Sequence, residues 1–342
     1  MNYLFYLAIF VISYSLTELV RCYAVGYLMD KPNERSSHTV PTPRGGGLAI
    51  VLGVYLGLIL SPEKIFSETP LWGMLGAIPV IVISWVDDHR HVPVVYRLGM
   101  QALGAIWLIR CCLWDLLTYH AHQSALIALL PGILLMVLIV WIINLYNFMD
   151  GIDTLAGLEF CSLAIAVLFI LLALNRIQGH EADETVHLVL LAFAATAGFL
   201  VVNWPPARIF MGDVGSNFLG YLLVVIAIKT LHQHQLGLST WLILPAVFWL
   251  DASVTLLRRI MTDQPFYKAH RTHAYQQAAR FFASHKKVSL GIALINVLYL
   301  MPLAILAEIH AHLQVIFVGL AYIPLLYLVI HFRAGLMLER DV

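Results

Sequence analysis

Charge is what this chain has least of. Asp, Glu, Lys and Arg make up 12% of its 342 residues, against 61% hydrophobic residues and a mean hydropathy of +0.83. A water-soluble domain of that length could not cover its surface with so few charges, so that class is excluded. Cysteine is also scarce. Cys22, Cys111, Cys112 and Cys161 lie in or beside apolar runs with no CxxC spacing, which argues for apolar packing over a disulfide framework or thiolate metal centre. The chain has no low-complexity tract, no clear internal repeat and no loop large enough for a separate soluble unit. Residues 1–342 therefore read as one integral membrane domain.

In place of charge there are long apolar runs. A membrane-spanning helix needs about 20 such residues. Runs near 3–24, 45–62, 71–86, 98–115, 124–143, 154–174, 186–203, 217–231, 238–258, 288–308 and 313–332 predict an all-α, polytopic membrane protein of about 11 transmembrane helices. Of the 20 Lys and Arg residues, only Lys64, Arg110, Arg176 and Lys229 fall on one side of this layout and 16 fall on the other. Lys and Arg concentrate on cytoplasmic loops, so the richer side is expected inside, with the N-terminus outside and the C-terminus inside. The first run lacks a basic n-region and a small-x-small site near Tyr23–Met29, so it is read as a span rather than a cleaved leader. A bacterial inner membrane is the expected location.

The reactive side chains gather on the cytoplasmic loops. Polar backbone and carboxylates at a membrane boundary are costly unless they line a wet cavity. The segment Asn203–Ser216 is of this kind, with Phe210 offering a flat face and Asp213 set between glycines. A hard divalent cation takes one or two carboxylates plus substrate phosphate oxygens, which suits Asp213. Asp87 and Asp88 are adjacent, so on a helix they point about 100° apart and can serve different partners, as metal or proton-transfer groups. Asn144, Asn147, Asp150 and Asp153 recur every third residue and form a polar strip suited to a base, a sugar or a metal, or to bonding between helices. The glycine-rich stretch Asp30–Gly47 carries Arg35, His38 and Arg44 and suits a phosphate, or is a turn before a span.

His270 and His273, with Arg271 between them, are expected to share a helix face and hold phosphate. Beyond them Tyr275, Arg280, Phe281, Phe282, Lys286 and Lys287 predict a short amphipathic helix at the lipid surface. Asp251 lies inside a span, and Arg258 or Arg259 is its expected partner. Pro245 should bend the ninth span and open a lipid-facing groove. The external pairs His120/His122, His232/His234 and His310/His312 are not expected to bind zinc, because residues two apart do not share a helix face.

Four of these motifs occur together in the order and spacing of a known family: Asp87-Asp88, Asn144-x-x-Asn147-x-x-Asp150-Gly-x-Asp153, Phe210-Met-Gly-Asp213-Val-Gly-Ser216 and the histidine loop. The chain resembles the polyprenyl-phosphate N-acetylhexosamine-1-phosphate transferase superfamily (glycosyltransferase family 4) from Asp30 to that loop. The resemblance implies that undecaprenyl phosphate attacks a UDP-N-acetylhexosamine, releasing UMP, with Mg²⁺ (or Mn²⁺) as cofactor. By position it makes Asp213 the metal ligand and Phe210 the uracil-stacking residue. Asn147, Asp150 and Asn203 would line the nucleotide pocket. Asp87, with Asp88 close by, would orient the lipid phosphate, and His270 and His273 would hold phosphates. Asn144, Asp153, Arg44 and Arg271 complete the expected substrate contacts.

Two departures narrow the branch. His91 stands where the family often has a third Asp, and His270-Arg-Thr-His273 replaces the run of adjacent histidines in the peptidoglycan enzymes. The pattern resembles the O-antigen and enterobacterial common antigen initiators, which implies a simple or 6-deoxy N-acetylated sugar. The expected partners are the sugar nucleotide, undecaprenyl phosphate and the bilayer, with no nucleic acid, and a homodimer is carried as an open expectation. A peptidoglycan-type muramoyl-pentapeptide transferase remains the alternative within the family. An intramembrane prenyltransferase would want two separated DxxxD clusters. A transporter would place its ionisable groups near the bilayer midplane.

Overall fold

A computed structural model describes residues 3–32, 40–61, 70–113, 125–176, 180–265 and 270–336. Arg35, His38, Lys64, His120 and His122, named above, lie outside the described residues. The first half of the chain forms α1 (Tyr3–Tyr27), α2 (Gly47–Leu60), α3 (Pro70–Leu75), α4 (Ala77–His89), α5 (Val94–Cys112) and α6 (Ala125–Phe148). Then follow α7 (Leu155–Ala173), α8 (His180–Asn203), α9 (Gly212–His232), α10 (Leu238–Ile243) and α11 (Ala246–Met261). The chain continues through α12 (Ala274–Phe281), α13 (His285–Ile295), a π-helical turn Asn296–Leu300, α14 (Met301–Ile309) and α15 (Gln314–His331). A two-residue antiparallel ribbon, β1 (Met29–Asp30) with β2 (Thr42–Pro43), is the one sheet among the described residues.

Seven described helical stretches are long and apolar enough to cross a membrane. The rods fall where the apolar runs predict them, with four differences that matter for the site. The run at 71–86 is broken at Gly76, and the run at 238–258 is broken at Leu244–Pro245, where proline cannot donate to the preceding turn. Helix α6 continues to Phe148, so Asn144 and Asn147 are helical while Asp150 and Asp153 follow the helix. Helix α9 starts at Gly212, so Asp213 occupies its first turn.

Helix α9 is the axis of the bundle. Every residue from Val214 to Ile226 is buried, and α2, α4, α5, α6 and α8 all pack on it. Missing side chains permit that crowding. A Cβ on Gly47 would collide with the backbone of Gly215, and one on Gly220 would meet the Ile143 Cα at 3.0 Å. Several buried side-chain amides are paired across helices, as burial away from water favours. Asn296 donates to Glu159 at 2.6 Å and to Ser162 at 2.8 Å, and Asn217 donates to Ser84 at 2.9 Å. The motifs converge around the first turn of this axis.

Candidate active site at the first turn of the central helix

Asp213 is a partly exposed carboxylate at the centre of the site. Gly212 adopts φ +76°, a conformation that favours glycine, and this turn starts α9 directly beneath the ends of α4 and α6. The Asn147 amide donates to Asp213 Oδ1 at 3.0 Å and to the Ser216 hydroxyl at 2.9 Å. The Asp213 side chain is 31% exposed, whereas that of Asp88 is 1% exposed. The difference decides which of them can reach a ligand.

Asp88 works inward. Its two carboxylate oxygens accept the backbone N–H groups of Asp213 at 3.2 Å and Val214 at 3.3 Å, so it caps α9 from another helix. Arg44 donates to the Asp88 carbonyl at 2.6 Å and approaches its carboxylate at 3.9 Å. Two N–H groups of the glycine-rich stretch are already committed to backbone carbonyls. Gly46 and Gly47 donate to the carbonyls of Phe210 and Met211, at 2.9 and 2.8 Å, while the Phe210 N–H donates to Pro43 at 2.8 Å. Phe210 is thereby fixed between two loops with its ring half-buried.

Asp87 faces the start of α5. Its Oδ1 accepts the Val92 N–H at 2.7 Å, and its Oδ2 accepts Arg97 Nη1 at 2.7 Å. The same nitrogen lies 3.5 Å from Asp213 Oδ2. Arg97 is the residue that sequence reasoning missed. It is one of 16 Lys and Arg residues on the charge-rich side of the sequence layout, and only the fold brings it across 116 positions to Asp213. His91 is exposed beyond the end of α4.

The polar strip divides among different tasks. Asn144 donates to Gln101 and to the Val140 carbonyl, both at 2.7 Å, so it joins α5 to α6 and does not reach the site. Asp150 does belong to the site. Burial, with Asp213, Asp88 and Asp153 nearby, pushes its carboxyl well above the usual carboxylate range. Asp153 accepts the Ala207 N–H at 3.2 Å and pairs with His285 at 3.3 Å. Asn203 accepts from the Thr154 N–H and donates to the Ile209 carbonyl, both at 2.8 Å. Both ends of its amide are committed to backbone, tying the Thr154 turn to the segment before α9.

The histidine loop differs most from expectation. His270 and His273 precede α12 in non-helical backbone, and their rings stack at 5.0 Å with 25° between planes. Asp251, whose partner is neither Arg258 nor Arg259, accepts His273 Nδ1 at 3.2 Å and the N–H groups of Ala274 and Tyr275 at 2.8 and 2.9 Å. It caps α12 and orients His273 together. Burial, then the neighbouring charges of His273 and Arg259, pushes His270 down to about 3, so it is neutral at pH 7 and no cation for a phosphate. Tyr275 is buried rather than at the lipid surface, donating to the Phe148 carbonyl at 3.0 Å, while Phe281 is 74% exposed. Arg271 lines a polar cavity of about 320 Å³ with Gln276, Arg280, Ser284 and His285.

An apolar cavity of about 330 Å³ opens between α11, α12, α13 and α15, lined by Val247, Ala278, Phe282, Gly291, Val329 and Phe332 among others. Asp251 and Tyr275 also line it, so it ends at the histidine loop. No set of three His, Cys, Asp or Glu side chains among the described residues forms a closed metal cage. A partly exposed Asp213 carboxylate beside further carboxylates nonetheless fits the donor set of Mg²⁺. The fit is to a metal shared with substrate.

Comparison with known proteins agrees with the motifs. The family described as "Glycosyl transferase family 4" matches residues 71–231. A probable undecaprenyl-phosphate N-acetylglucosaminyl 1-phosphate transferase of Bacillus subtilis (strain 168) is 29% identical over 308 residues, covering 87% of this chain and 83% of that protein. The decaprenyl-phosphate N-acetylglucosaminephosphotransferase of Mycobacterium leprae (strain TN) is 30% identical over 320 residues, covering 83% and 78%. A phospho-N-acetylmuramoyl-pentapeptide-transferase of Desulfitobacterium hafniense is 30% identical over 214 residues, covering 55% and 62%. With Asp213, Asn147 and Asp150 gathered at one helix start, this chain belongs to the polyprenyl-phosphate N-acetylhexosamine-1-phosphate transferases of glycosyl transferase family 4.

Proposed function

We infer that the protein transfers N-acetylhexosamine 1-phosphate from a UDP-N-acetylhexosamine to undecaprenyl phosphate, starting a lipid-linked glycan of the cell envelope. A phosphate oxygen of the lipid attacks the β-phosphorus of the sugar nucleotide, and the bond to the UMP oxygen breaks. The products are UMP and a lipid-linked diphosphosugar whose C1–O bond was never cleaved. The observation that carries this reading is the partly exposed Asp213 carboxylate, held by Asn147 on the central helix and flanked by Asp150.

Asp213 would hold Mg²⁺, which when bound neutralises charge on the transferring phosphates. Asp150 and the polar cavity bearing Arg271 would take the sugar nucleotide, and Phe210 would offer its ring to the uracil. His273, oriented by Asp251, meets the phosphates where the apolar cavity ends. That cavity would take the polyprenyl chain, with Lys287 at its lining. The His270-Arg-Thr-His273 loop supports a simple or 6-deoxy N-acetylated sugar over the muramoyl pentapeptide. O-antigen or a related envelope polysaccharide is the proposed product line.

The eleven predicted runs and the 16-to-4 division of Lys and Arg support a multi-pass inner-membrane topology with the site in the cytoplasm, the N-terminus outside and the C-terminus inside. The test of function is direct. Purified protein, undecaprenyl phosphate and a panel of UDP-N-acetylhexosamines should release UMP with at least one simple N-acetylated sugar. Release only with the UDP-muramoyl pentapeptide would assign the peptidoglycan reaction instead, and no release with any would overturn the reading.

A further inference from the structure

We propose that Arg97 is the resident counter-cation of the metal site. It bridges Asp87 and Asp213 when no divalent ion is bound and competes with that ion for Asp213. The proposal rests on Asp213 as the metal-holding carboxylate. One guanidinium nitrogen serves both acids, at 2.7 Å from Asp87 Oδ2 and 3.5 Å from Asp213 Oδ2. Arg97 Nε is buried without a hydrogen-bond partner. A guanidinium built only to fasten helices would use its fork on a carboxylate in bidentate fashion. Here one nitrogen is shared and another is idle.

The two halves of the bridge are unequal. Asp87 is anchored on its other side by the Val92 N–H at 2.7 Å, and its side chain is 8% exposed. Asp213 is 31% exposed and holds Arg97 only at the longer distance. A cation arriving from water therefore meets Asp213 first and displaces the weaker contact, while Asp87 retains Arg97. Among the described residues, three carboxylates, Asp87, Asp88 and Asp213, are met by two guanidiniums, Arg44 and Arg97, which leaves the cluster short of positive charge. Arg97 covers that shortage at a cost in metal affinity. Asp87 is then a latch for Arg97 and not itself a metal ligand.

Binding of Mn²⁺ to the purified full-length protein, read from the electron paramagnetic resonance of free Mn²⁺ without any sugar nucleotide, tests this independently of the transfer reaction. Arg97→Gln should bind Mn²⁺ about tenfold tighter, because a like charge beside the site is gone. Arg97→Lys should stay near wild type. Asp87→Asn should bind more weakly, since Arg97 turns wholly to Asp213. The Asp87→Asn/Arg97→Gln double variant should recover at least wild-type affinity. A double variant as weak as Asp87→Asn makes Asp87 a ligand and overturns the latch. Unchanged or weaker binding by Arg97→Gln overturns the competition. In the wild-type protein, where folding is not in question, Mn²⁺ should speed phenylglyoxal modification of Arg97 several-fold relative to Arg44. A slower or unchanged rate would count against the proposal equally.

Discussion

Four aspartates lie around the start of α9, and their surroundings give them different work. Asp88 is sealed beneath the helix start, Asp87 is tied to Val92 and Arg97, burial pushes the Asp150 carboxyl up, and the Asp213 side chain is 31% exposed. Asp213→Asn removes the anionic oxygen with almost no change in volume and keeps an acceptor for Asn147. Turnover should fall by at least about 10²-fold, with the melting temperature close to wild type. Full Mg²⁺-dependent turnover in that variant would remove Asp213 from the chemistry. His270 supplies a pH prediction. Its folded-state value of about 3 lies below the ordinary histidine value of 6.5. The unfolded chain therefore binds the proton first, and stability present above pH 6.5 is lost as pH falls toward 3. Wild-type protein should lose more melting temperature between pH 7.5 and pH 5 than His270→Gln, and equal losses would show that His270 titrates normally. Asp213 and Asn147 were legible in the sequence because glycines and amides beside an acid at a span end have few structural uses. Arg97 was not, because an ion pair between residues on separate helices leaves no trace in local spacing.

At the scale of elements, apolar run length located the rods and left their joints unresolved. Asn144 to Asp153 reads as one helical strip by its three-residue spacing, yet the helix stops at Phe148 and the four side chains diverge. His270 and His273 read as a helix face because their spacing fits one. The capping carboxylate that starts α12 after them comes from Asp251 on α11, a partner no local pattern names. The Pro245 break, by contrast, was legible, since a proline far inside a span must interrupt it. The cavity beside α11 gives that break a consequence. Gly291 lines the cavity, and a Cβ built there meets nothing within 4 Å. Gly291→Trp should fill the groove without collision and raise the KM for undecaprenyl phosphate about tenfold, the equivalent of roughly two buried methylenes. The KM for the UDP-sugar should stay within about twofold. A parallel rise in both would place the lipid elsewhere.

Across the whole molecule, the end that carries the chemistry and the end that carries the staples are different. The site uses the last turns of α4 and α6 and the first turns of α5 and α9. The opposite ends hold buried ion pairs. Lys229 meets Glu184 at 2.8 Å, and Arg176 meets Glu308 at 2.6 Å. Those are two of the four cations expected on the outer side, and each is matched by an acid, so they add little net positive charge there. Glu308 also accepts from the Gly237 N–H and the Thr240 hydroxyl, closing the N-terminus of α10. Its side chain is 5% exposed and that of Arg176 is 32% exposed, so losing the acid leaves a cation that water reaches only in part. Breaking a buried pair costs about 3–5 kcal/mol, and the access of water to Arg176 brings the expected loss for Glu308→Gln to about 2 kcal/mol. The melting temperature should fall by several degrees, with kcat/KM of the surviving folded protein unchanged. Arg176→Gln/Glu308→Gln should recover part of the loss, because no unpaired charge remains. The pattern is the mirror image of Asp213→Asn, which removes turnover and spares stability. If Glu308→Gln instead lowers kcat at full folding, the two ends are coupled through α14 and the division of labour fails.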